Sequence, residues 1–423
     1  MNKDISKPVN QNNQSNPKNL ADKTLIGTNP SGKLVFCDDT AKHIFLCGTT
    51  GSGKTVALSN FIKSGIEKNY GLLIVDGKGD IDSGSIMAIT KHFAQRNNRK
   101  LIIINLNEPE SSGKYNPFAG AKETIAKDML INMTDWSEEH YKTNTERYIQ
   151  KLLKLLNLKG EKLSYKSIIK NFSISAFEEL SATLAKQEKI TKQDHIQNLD
   201  IIKASGKIAE SAAARFTTIA ESDIGNIFDE DGIDIYTALS ENTIILFILN
   251  PLIYPELSPV MGRLILIDAK KAVSKMFGQY DRRKFFIFDE INVYASTVLI
   301  DLINKSRSAG VTAIPATQSL ADLEAVAGEP FKQQIIENCN NYIVLRQNSP
   351  KGAEELAKTL GTKETMQITY QINNIESTNV GTARKTREFI VHPDEIKSLP
   401  TGKGIFLSKD NGKCERIKVQ KPF

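Results

Sequence analysis

The sequence predicts an α/β fold built on a parallel sheet, into which a mainly helical unit is inserted. Short apolar runs of strand length alternate with segments of helical periodicity, for example residues 71–75 and 285–288. Continuous apolar runs of this kind are typical of parallel strands that are buried on both faces. Between residues 120 and 236 such runs are absent and helical patterns dominate. This change indicates an insertion into the sheet-forming chain.

The residues before the insertion predict a short hairpin followed by an alternation of strands and helices. Residues 25–36 suit the hairpin, with Asn29-Pro30-Ser31-Gly32 as its turn. The alternation is predicted as strand 43–47, a helix from 56 to 68, strand 71–75, helix 83–97 and strand 101–105.

The inserted unit is predicted to be all-helical, with its clearest patterns over residues 145–156, 175–189 and 194–220. Trp136, the only tryptophan, is more typical of a core position than of a functional one. The first residues are polar and lack apolar periodicity, which is typical of disorder. The predicted organisation is a disordered tail over residues 1–22, a sheet-forming domain from residues 23–119 and 237–423, and an all-α domain over residues 120–236.

The alternation resumes after the insertion, and the same sheet is expected to continue there. The predicted elements are strand 243–249, helix 259–277, strand 284–290, a helix to 308, strand 311–318, two shorter helices, strand 341–346 and short strands that include 404–408.

Composition excludes several classes of protein. Net charge is +6 with 25% charged residues, a mild basic excess that permits a nucleic-acid partner without requiring one. The four cysteines are widely spaced and the five histidines are scattered, which argues against a disulfide framework or a zinc site and fits a reducing cytosol. No apolar run is long enough to span a bilayer, and no signal peptide is present. The sequence therefore predicts a cytoplasmic protein.

A glycine-rich stretch between the first buried strand and its helix carries the strongest functional signal. It reads Gly48-Thr49-Thr50-Gly51-Ser52-Gly53-Lys54-Thr55 and matches the pattern G-x-x-x-x-G-K-[ST]. In such a loop the backbone N–H groups bind phosphate oxygens, Lys54 would reach the β- and γ-phosphates, and the Thr55 hydroxyl would ligate Mg²⁺. The alternative, a surface turn that matches by chance, does not account for the strand before it and the helix after it. The sequence therefore predicts a nucleotide-binding site.

Two adjacent acids, Asp289 and Glu290, end a later apolar strand. In a phosphate-loop ATPase, an acid in the position of Asp289 holds Mg²⁺ and one in the position of Glu290 orients the attacking water. An apolar strand that ends in Asp-Glu is a weak signal alone, but together with the glycine-rich loop it predicts ATP hydrolysis. The long separation of the two motifs also requires an inserted unit, which the helical block supplies.

Three polar residues near other strand ends are further candidates with open alternatives. Gln318 would contact the γ-phosphate or the attacking water, or is a polar strand end satisfied by its neighbours. Arg307 is either a surface cation or an arginine finger that reaches a neighbouring subunit's phosphate. Arg346, at the end of the next strand, is ambiguous in the same way.

Other charged positions fit structural explanations at least as well. Asp76 and Lys78 follow the second buried strand, where a structural ion pair is the alternative to a functional role. The basic stretches 384–387 and 270–271 would contact nucleic-acid backbone, although a solvated face is the more common explanation of either one.

In their order along the chain, these motifs resemble those of the conjugative coupling proteins of type IV secretion, the TraG/TraD family of the FtsK–HerA motor superfamily. The resemblance covers residues 25–410. The residues that carry it, besides the placement of the insertion, are His43, Gly48–Thr55, Val75-Asp76-Gly77-Lys78-Gly79-Asp80, Tyr115-Asn116-Pro117-Phe118, Phe288-Asp289-Glu290, Arg307-Ser308-Ala309-Gly310 and Ala316-Thr317-Gln318-Ser319.

The resemblance implies a RecA-like nucleotide-binding domain with an inserted all-α domain, ATP and Mg²⁺ as ligands, and a homo-hexameric ring with DNA in its channel. It makes Arg307 the finger that acts on a neighbour and Gln318 the γ-phosphate sensor. It also implies relaxase and secretion-channel components as partners. Many members of the family begin with transmembrane helices. This chain shows none, so a peripheral position at the inner face of the membrane, through a partner, is expected.

The leading expectation is an ATP-dependent DNA translocase that couples a relaxase–DNA substrate to a secretion channel. The first alternative is an ATPase that powers assembly of the same apparatus without acting on DNA, although such proteins carry a long domain before the loop. The second is an adaptor that binds DNA or relaxase without hydrolysis, for which Lys54, Thr55, Asp289 and Glu290 would serve no chemical purpose.

Overall fold

The computed structural model describes residues 21–40, 42–278, 282–373 and 376–423, and for residues 368–382 it describes only the backbone path. The predicted disordered tail therefore lies almost entirely outside the described residues. The strands are β1 (Lys23–Thr28), β2 (Leu34–Asp38), β3 (Ile44–Cys47), β4 (Gly71–Asp76), β5 (Leu101–Asn105), β6 (Ile244–Ile248), β7 (Lys284–Asp289), β8 (Val311–Thr317), β9 (Asn341–Val344), β10 (Thr362–Asn373), β11 (Glu376–Phe389), β12 (Lys403–Ser408) and β13 (Lys413–Val419).

The helices lie before, within and after the predicted insertion. They are α1 (Lys54–Glu67), α2 (Ile86–Arg96), α3 (Glu123–Asn132), α4 (Glu139–Lys159), α5 (Tyr165–Lys170), α6 (Ile174–Lys186), α7 (Lys192–Glu221), α8 (Ile235–Ser240), α9 (Leu257–Lys275), α10 (Thr297–Ser306), α11 (Leu320–Glu337, kinked at Gly328), α12 (Pro350–Leu360) and α13 (Pro393–Ser398). Among the described residues, no helix combines the length and the apolarity needed to cross a bilayer.

The described residues form an 11-stranded sheet in the order β2-β1-β13-β12-β9-β3-β8-β7-β4-β6-β5. From β9 to β5 every neighbouring pair is parallel, which confirms the parallel sheet expected from the apolar runs. The expectation that the whole sheet is parallel is wrong, because β12 joins β9 in the antiparallel sense and β13, β1 and β2 continue that way. An apolar pattern indicates how deeply a strand is buried but not its direction, so this mixed end is invisible in the sequence.

Two layers of helices cover the faces of the sheet, and each strand contributes to both layers. In β6, for example, Ile245 and Phe247 point into one apolar cluster, whereas Ile244, Leu246 and Ile248 point into the other. This alternation is expected of a strand buried on both faces. Helices α1 and α2 pack on the second face, and the helical insertion packs on the first.

The insertion, helices α3 to α8, connects two strands that pair with each other, β5 and β6. Its core is continuous with the core of the sheet, since one cluster of buried residues runs from Phe45 through Leu152 and Phe216 to Phe247. Trp136 is half-buried against this cluster. Helix α8 crosses the expected boundary between residues 236 and 237, and the division into domains stays a prediction.

A buried ion pair ties this region to helix α9. The Lys271 ammonium lies 2.9 Å from the Asp268 carboxylate, and both side chains are almost completely buried. Lys271 also donates to the carbonyl oxygen of Pro117, at 2.6 Å, and the Tyr115 hydroxyl donates to Asp268, at 2.9 Å. Lys271 therefore belongs to the interior. This corrects both sequence-based interpretations of it, as a nucleic-acid contact and as part of a solvated face.

The longest hairpin was missed by the sequence analysis. Strands β10 and β11 pair antiparallel with each other and form a separate two-stranded sheet. Strand β10 carries the period-2 pattern of a strand, since Met366, Ile368, Tyr370 and Ile372 alternate with polar residues, and the sequence analysis overlooked it. Strand β11 is mostly polar and shows no such alternation. The basic stretch 384–387 lies on β11.

Replacing Lys271 by methionine should strongly destabilise the protein. The change leaves the Asp268 carboxylate buried without its cation, which typically costs about 3–5 kcal/mol. The neighbouring Lys270 pairs with Asp301 on the surface, so Lys270→Met should change stability by less than about 1 kcal/mol. Urea unfolding of both variants measures the difference, and equal losses would contradict the structural role of Lys271.

His43 should make stability depend on pH. Burial, together with the positive charge of Arg307, lowers the pKa of His43 from 6.5 to about 4, and its Nδ1 accepts the N–H of Ala313 at 3.0 Å. The folded protein therefore keeps His43 neutral, whereas the unfolded chain takes up a proton below its ordinary pKa. The contribution of neutral His43 to the free energy of unfolding is complete above the unfolded-state pKa and is lost as pH falls towards the folded-state pKa. At about pH 5 the loss amounts to about 2 kcal/mol.

Unfolding free energies at about pH 7.5 and about pH 5 test this statement. Between the two pH values, the unfolding free energy of the His43→Asn variant should fall by about 2 kcal/mol less than that of the wild type. His92 is exposed on α2, so His92→Asn should keep the wild-type dependence. The assignment would fail if His43→Asn kept it too.

Candidate functional site

The glycine-rich loop connects the end of β3, at Cys47, to the start of α1, at Lys54. Two of its glycines are required by geometry. Gly53 has a φ of 104°, in the left-handed region that disfavours side chains. At Gly48 an added Cβ would lie 2.7 Å from the Cβ of Leu345, so the backbone packs too closely there for any larger residue. The loop thus has the strand, turn and helix context that its motif requires.

Neighbouring strands hold the start of the loop in place. The N–H of Gly48 donates to the carbonyl oxygen of Thr317 at 3.2 Å, and the N–H of Thr49 donates to that of Arg346 at 3.0 Å. Thr317 ends β8 and Arg346 follows β9, the two strands that flank β3. The loop is therefore positioned by the sheet.

Four residues predicted to act on nucleotide lie together beside this loop. The Lys54 ammonium contacts Oε1 of Glu290 and lies 3.4 Å from Oδ1 of Asp289. The side-chain N–H of Gln318 donates to Glu290 Oε1 at 2.9 Å. The side-chain oxygen of Gln318 accepts a hydrogen bond from the Thr50 hydroxyl at 3.0 Å. Strands β3, β7 and β8 are neighbours and parallel, so their carboxyl ends meet at one edge and bring these side chains together.

Glu290 adopts an unusual backbone conformation at this edge. Its φ of 47° lies in the left-handed region, which costs a residue with a side chain about 1 kcal/mol or more. The Tyr294 hydroxyl donates to the carbonyl oxygen of Asp289 at 2.9 Å and holds the strand end next to this turn. Contrary to the sequence-based strand limit, β7 ends at Asp289, and the turn places the buried Glu290 carboxylate under the loop.

Buried polar atoms without a hydrogen-bond partner among the described residues indicate a ligand at this place. They are Thr49 Oγ1, Ser52 Oγ and Glu290 Oε2. Leaving such a group unsatisfied costs about 1–3 kcal/mol, so they are unlike ordinary core atoms. Hydroxyl and carboxylate oxygens are suitable partners for phosphate and Mg²⁺, and Thr55, next to Lys54 in α1, adds a half-buried hydroxyl. The residues present fit a Mg²⁺–nucleotide.

A third acid joins the edge from β4. Asp76 lies opposite Asp289 in the register of the two strands, and its Oδ1 accepts the N–H groups of Lys78 and Gly79 at 2.9 and 3.1 Å. Burial, reinforced by the charge of Asp289, raises the pKa of Asp76 to about 7. Burial also raises the pKa of Asp289, and Lys54 partly offsets that effect. Lys78 pairs with Asp80, so the ion pair considered for Asp76 and Lys78 does not form.

The two candidate arginines lie at opposite edges of the sheet. The carbonyl oxygen of Arg346 contacts the glycine-rich loop, as described above. Arg307 precedes β8, and the seven residues of that strand, about 20 Å in length, separate it from the loop. It lines a cleft of about 680 Å³ with Phe277, Arg283 and Lys305. Arg307 therefore lies too far away to reach the loop of its own chain.

Some residues at the site carry no signal that the sequence analysis recognised. The Thr401 hydroxyl donates to the carbonyl oxygen of Gly51 at 2.9 Å, and the N–H of Gly402 donates to that of Ser52 at 2.9 Å. These contacts join positions 350 residues apart, which no local pattern indicates. The buried Gln347 similarly donates to the carbonyl oxygen of Gln318 at 3.2 Å.

Residues 35–420 match the profile of a family described as the type IV secretion-system coupling protein DNA-binding domain. A segment of 133 residues is 23% identical to the type 4 coupling protein DotL of Legionella pneumophila, a match that spans 28% of this chain and 17% of DotL.

Solved structures with the same fold include the bacterial conjugative coupling protein TrwB. Its unbound form superposes with a TM-score of 0.67 at 18% identity, over 95% of this chain and 89% of that one. TrwB in complex with ADP and Mg²⁺ superposes with a TM-score of 0.64 at 19% identity, over 94% and 90% of the two chains. The fold expected from the sequence, a RecA-like nucleotide-binding domain with an all-α insertion, is thereby confirmed.

The contact between Thr401 and the loop gives a first prediction for the site. Thr401→Val keeps the shape of the side chain but removes the hydrogen bond to Gly51, so the loop should be less well ordered for phosphate. We expect the Kd for a fluorescent ADP to rise about 3-fold, with little change in stability. Thr359→Val is the control, since the Thr359 hydroxyl bonds only within its own helix. An unchanged Kd in Thr401→Val would show that the contact does not support binding.

Proposed function

Because the chain belongs to the family of type IV secretion-system coupling proteins, we propose that it is an ATP-dependent DNA translocase. It would link a relaxase–DNA substrate to a secretion channel during conjugation. The observation that carries the proposal is the cluster of Lys54, Asp289, Glu290 and Gln318 beside the glycine-rich loop. A protein that only bound DNA would have no need to bury two carboxylates and a lysine there, because burying charges is costly.

Each member of the cluster has a distinct role in the proposed hydrolysis. The backbone of the loop and Lys54 would bind the phosphates, and Thr55 and Asp289 would hold Mg²⁺. Bound Mg²⁺ would neutralise phosphate charge. Glu290 would orient the attacking water and accept its proton, and Gln318 would contact the γ-phosphate.

The geometry supports these roles for Glu290 and Gln318 in particular. Gln318 donates to Glu290 through its amide nitrogen and accepts from Thr50 through its amide oxygen, so both ends of the side chain are fixed. Glu290 Oε1 is held by Gln318 and Lys54, while Oε2 has no partner among the described residues. That oxygen is available to a water molecule. Orientation of a reactant in this way can supply several kcal/mol of catalysis.

The position of Arg307 supports a ring in which subunits complete each other's sites. Its distance from its own loop excludes a role there, whereas a neighbour's loop facing this edge would bring Arg307 to that neighbour's phosphate. We propose a homo-hexamer around DNA, with Arg307 rather than Arg346 as the finger. The mild positive charge of the chain suits such a channel.

The partners proposed beyond DNA follow from family membership. We propose that the helical insertion helps to select the relaxase–DNA substrate, and that a membrane partner holds the protein at the cytoplasmic face near the secretion channel. DotL is named a coupling protein, and TrwB is named a conjugative one, which supports this placement by analogy.

Two variants test the ATPase. Lys54→Ala should abolish nucleotide binding and hydrolysis, because the ammonium that would bind the phosphates is lost. Glu290→Gln should keep nucleotide binding but lower kcat by about 100-fold or more, since the amide cannot accept a proton. Lys91→Ala and Glu67→Gln make the same changes at exposed positions on α2 and α1 and should behave as wild type.

Steady-state hydrolysis with single-stranded, double-stranded and no DNA provides the measurement. DNA should stimulate the wild type. Hydrolysis that ignores DNA, in a protein that binds none, would favour the assembly ATPase instead. Bound ATP that the wild type never hydrolyses would favour the adaptor.

A further inference from the structure

The hairpin of β10 and β11, called the ribbon here, stands apart from the main sheet. Its strands pair only with each other within the described part of the chain. At its base, residues 362–367 and 383–388 are exposed or half-exposed on both faces. A two-stranded ribbon is by itself marginally stable in water, so the exposure of this base suggests that the ribbon contacts a partner.

Both ends of the ribbon lead directly to the nucleotide site. The chain enters β10 from helix α12, which follows Arg346 and Gln347. It leaves β11 through the buried Val391 and helix α13, and then reaches Thr401 and Gly402, which bond the glycine-rich loop. These contacts belong to one connected segment.

Helix α13 connects the two routes. The carbonyl oxygen of Ile396, in α13, accepts the backbone N–H of Gln347 at 3.4 Å. The Gln347 side chain in turn donates to the carbonyl oxygen of Gln318. A displacement of the ribbon base would therefore act on the loop through residues 401–402 and on Gln318 through Gln347.

Some charged residues at the ribbon base face an opposite charge on the partner strand, and others do not. Lys363 lies opposite Glu388 and Glu364 lies opposite Arg387, which are cross-strand pairs of opposite charge. Arg384 lies opposite Gln367, and Lys385 lies opposite Met366. Arg384 and Lys385 are exposed and form no ion pair among the described residues. Two cations thus remain without an ion pair among the described residues, one on each face of the ribbon, because consecutive strand residues point in opposite directions.

A nucleic acid suits this surface better than a protein does. Met366 is the only large apolar side chain strongly exposed at the described base of the ribbon, so this base offers little apolar contact area. Charged residues on an edge strand also oppose pairing with another chain. In contrast, interfaces with DNA are polar and positively charged, and a two-stranded ribbon fits the major groove.

We propose that Arg384 and Lys385 bind nucleic-acid phosphates, and that the segment from Ile390 to Gly402 transmits this binding to the glycine-rich loop. The inference rests on the proposed function in taking DNA as the polymer. It adds the contact site and the route by which DNA would control the nucleotide site. Binding free energies coupled in this way must be reciprocal, so nucleotide would alter DNA affinity by the same factor.

The test uses the full chain with Arg384→Ala and Lys385→Ala combined. Anisotropy of a fluorescent DNA duplex gives Kd over a range of salt concentrations. We expect Kd to rise about 10-fold and the log–log salt slope to fall by about 2, because two phosphate contacts are lost. The control combines Lys91→Ala with Arg96→Ala on α2, which removes the same two charges from another exposed surface.

A second measurement tests transmission without relying on hydrolysis. The Kd for fluorescent ADP is measured with and without DNA, at DNA concentrations that saturate each protein. DNA should shift this Kd at least about 5-fold in the wild type and in the control, and the shift should be absent in the ribbon variant. Thermal unfolding confirms that both double variants are folded.

The possible results separate the two proposals. DNA affinity and salt slope that match the control would overturn the ribbon site while the ATPase proposal stands. Weakened DNA binding with an intact shift in ADP affinity would overturn the transmission. Loss of self-association with intact DNA binding would assign the ribbon to a second copy of the chain. A wild type that binds no DNA would overturn the ribbon site and the translocase together, whatever its ATPase activity.

Discussion

The Lys54 ammonium is buried between two carboxylates, one of which lies 236 residues further along the chain. An isolated charge in such a place would be prohibitively costly, so the pairing of Lys54 with Asp289 and Glu290 requires the ends of β3 and β7 to be correctly placed. Strand β8 lies between them and contributes Gln318. The sheet order at this edge is therefore inseparable from the chemistry of the site, and a displaced strand would leave a charge unpaired.

The position of the helical insertion in the chain leaves the order of the strands at the nucleotide site unchanged. The insertion lies in the chain between β5 and β6, which are neighbours at the end of the sheet. The order of β3, β8 and β7, the strands that form the nucleotide site, is therefore not interrupted by it. Its core is nevertheless continuous with that of the sheet, through residues such as Leu152 and Phe247. The buried pair of Lys271 and Asp268 adds a polar contact between α9 and the segment that leads into the insertion. The insertion and the sheet therefore share much of their packing.

Sequence reasoning found the parts of the molecule whose signals are local. The glycine-rich loop needs glycine where φ is positive, and parallel strands buried on both faces need unbroken apolar runs, so both were predictable. Asp289, Glu290 and Gln318 were found because polar residues at strand ends meet at one edge, although their chemical roles stay predictions.

Apart from the ribbon, what the sequence analysis missed depends on contacts between distant segments. The antiparallel pairing of β12 with β9 and of β1 with β13, the bond from Thr401 to the loop and the burial of Lys271 all belong to this group. Lys271 is the clearest case, because a lysine beside another lysine on a helix is normally solvated. Only the return of residues 115–119 to that helix face makes it internal.

The neighbours of strand β3 set the order in which the protein can mature during synthesis. Its two partners, β8 and β9, come from residues 311–344, and β1 at the start of the chain pairs with β13 near the end. The apolar strand that precedes the glycine-rich loop therefore cannot form its native pairs until about three quarters of the chain has been made. Contacts of such long range close slowly. In a cell, this is the interval in which chaperones would protect the nascent chain, and nucleotide can contribute to its stability only afterwards.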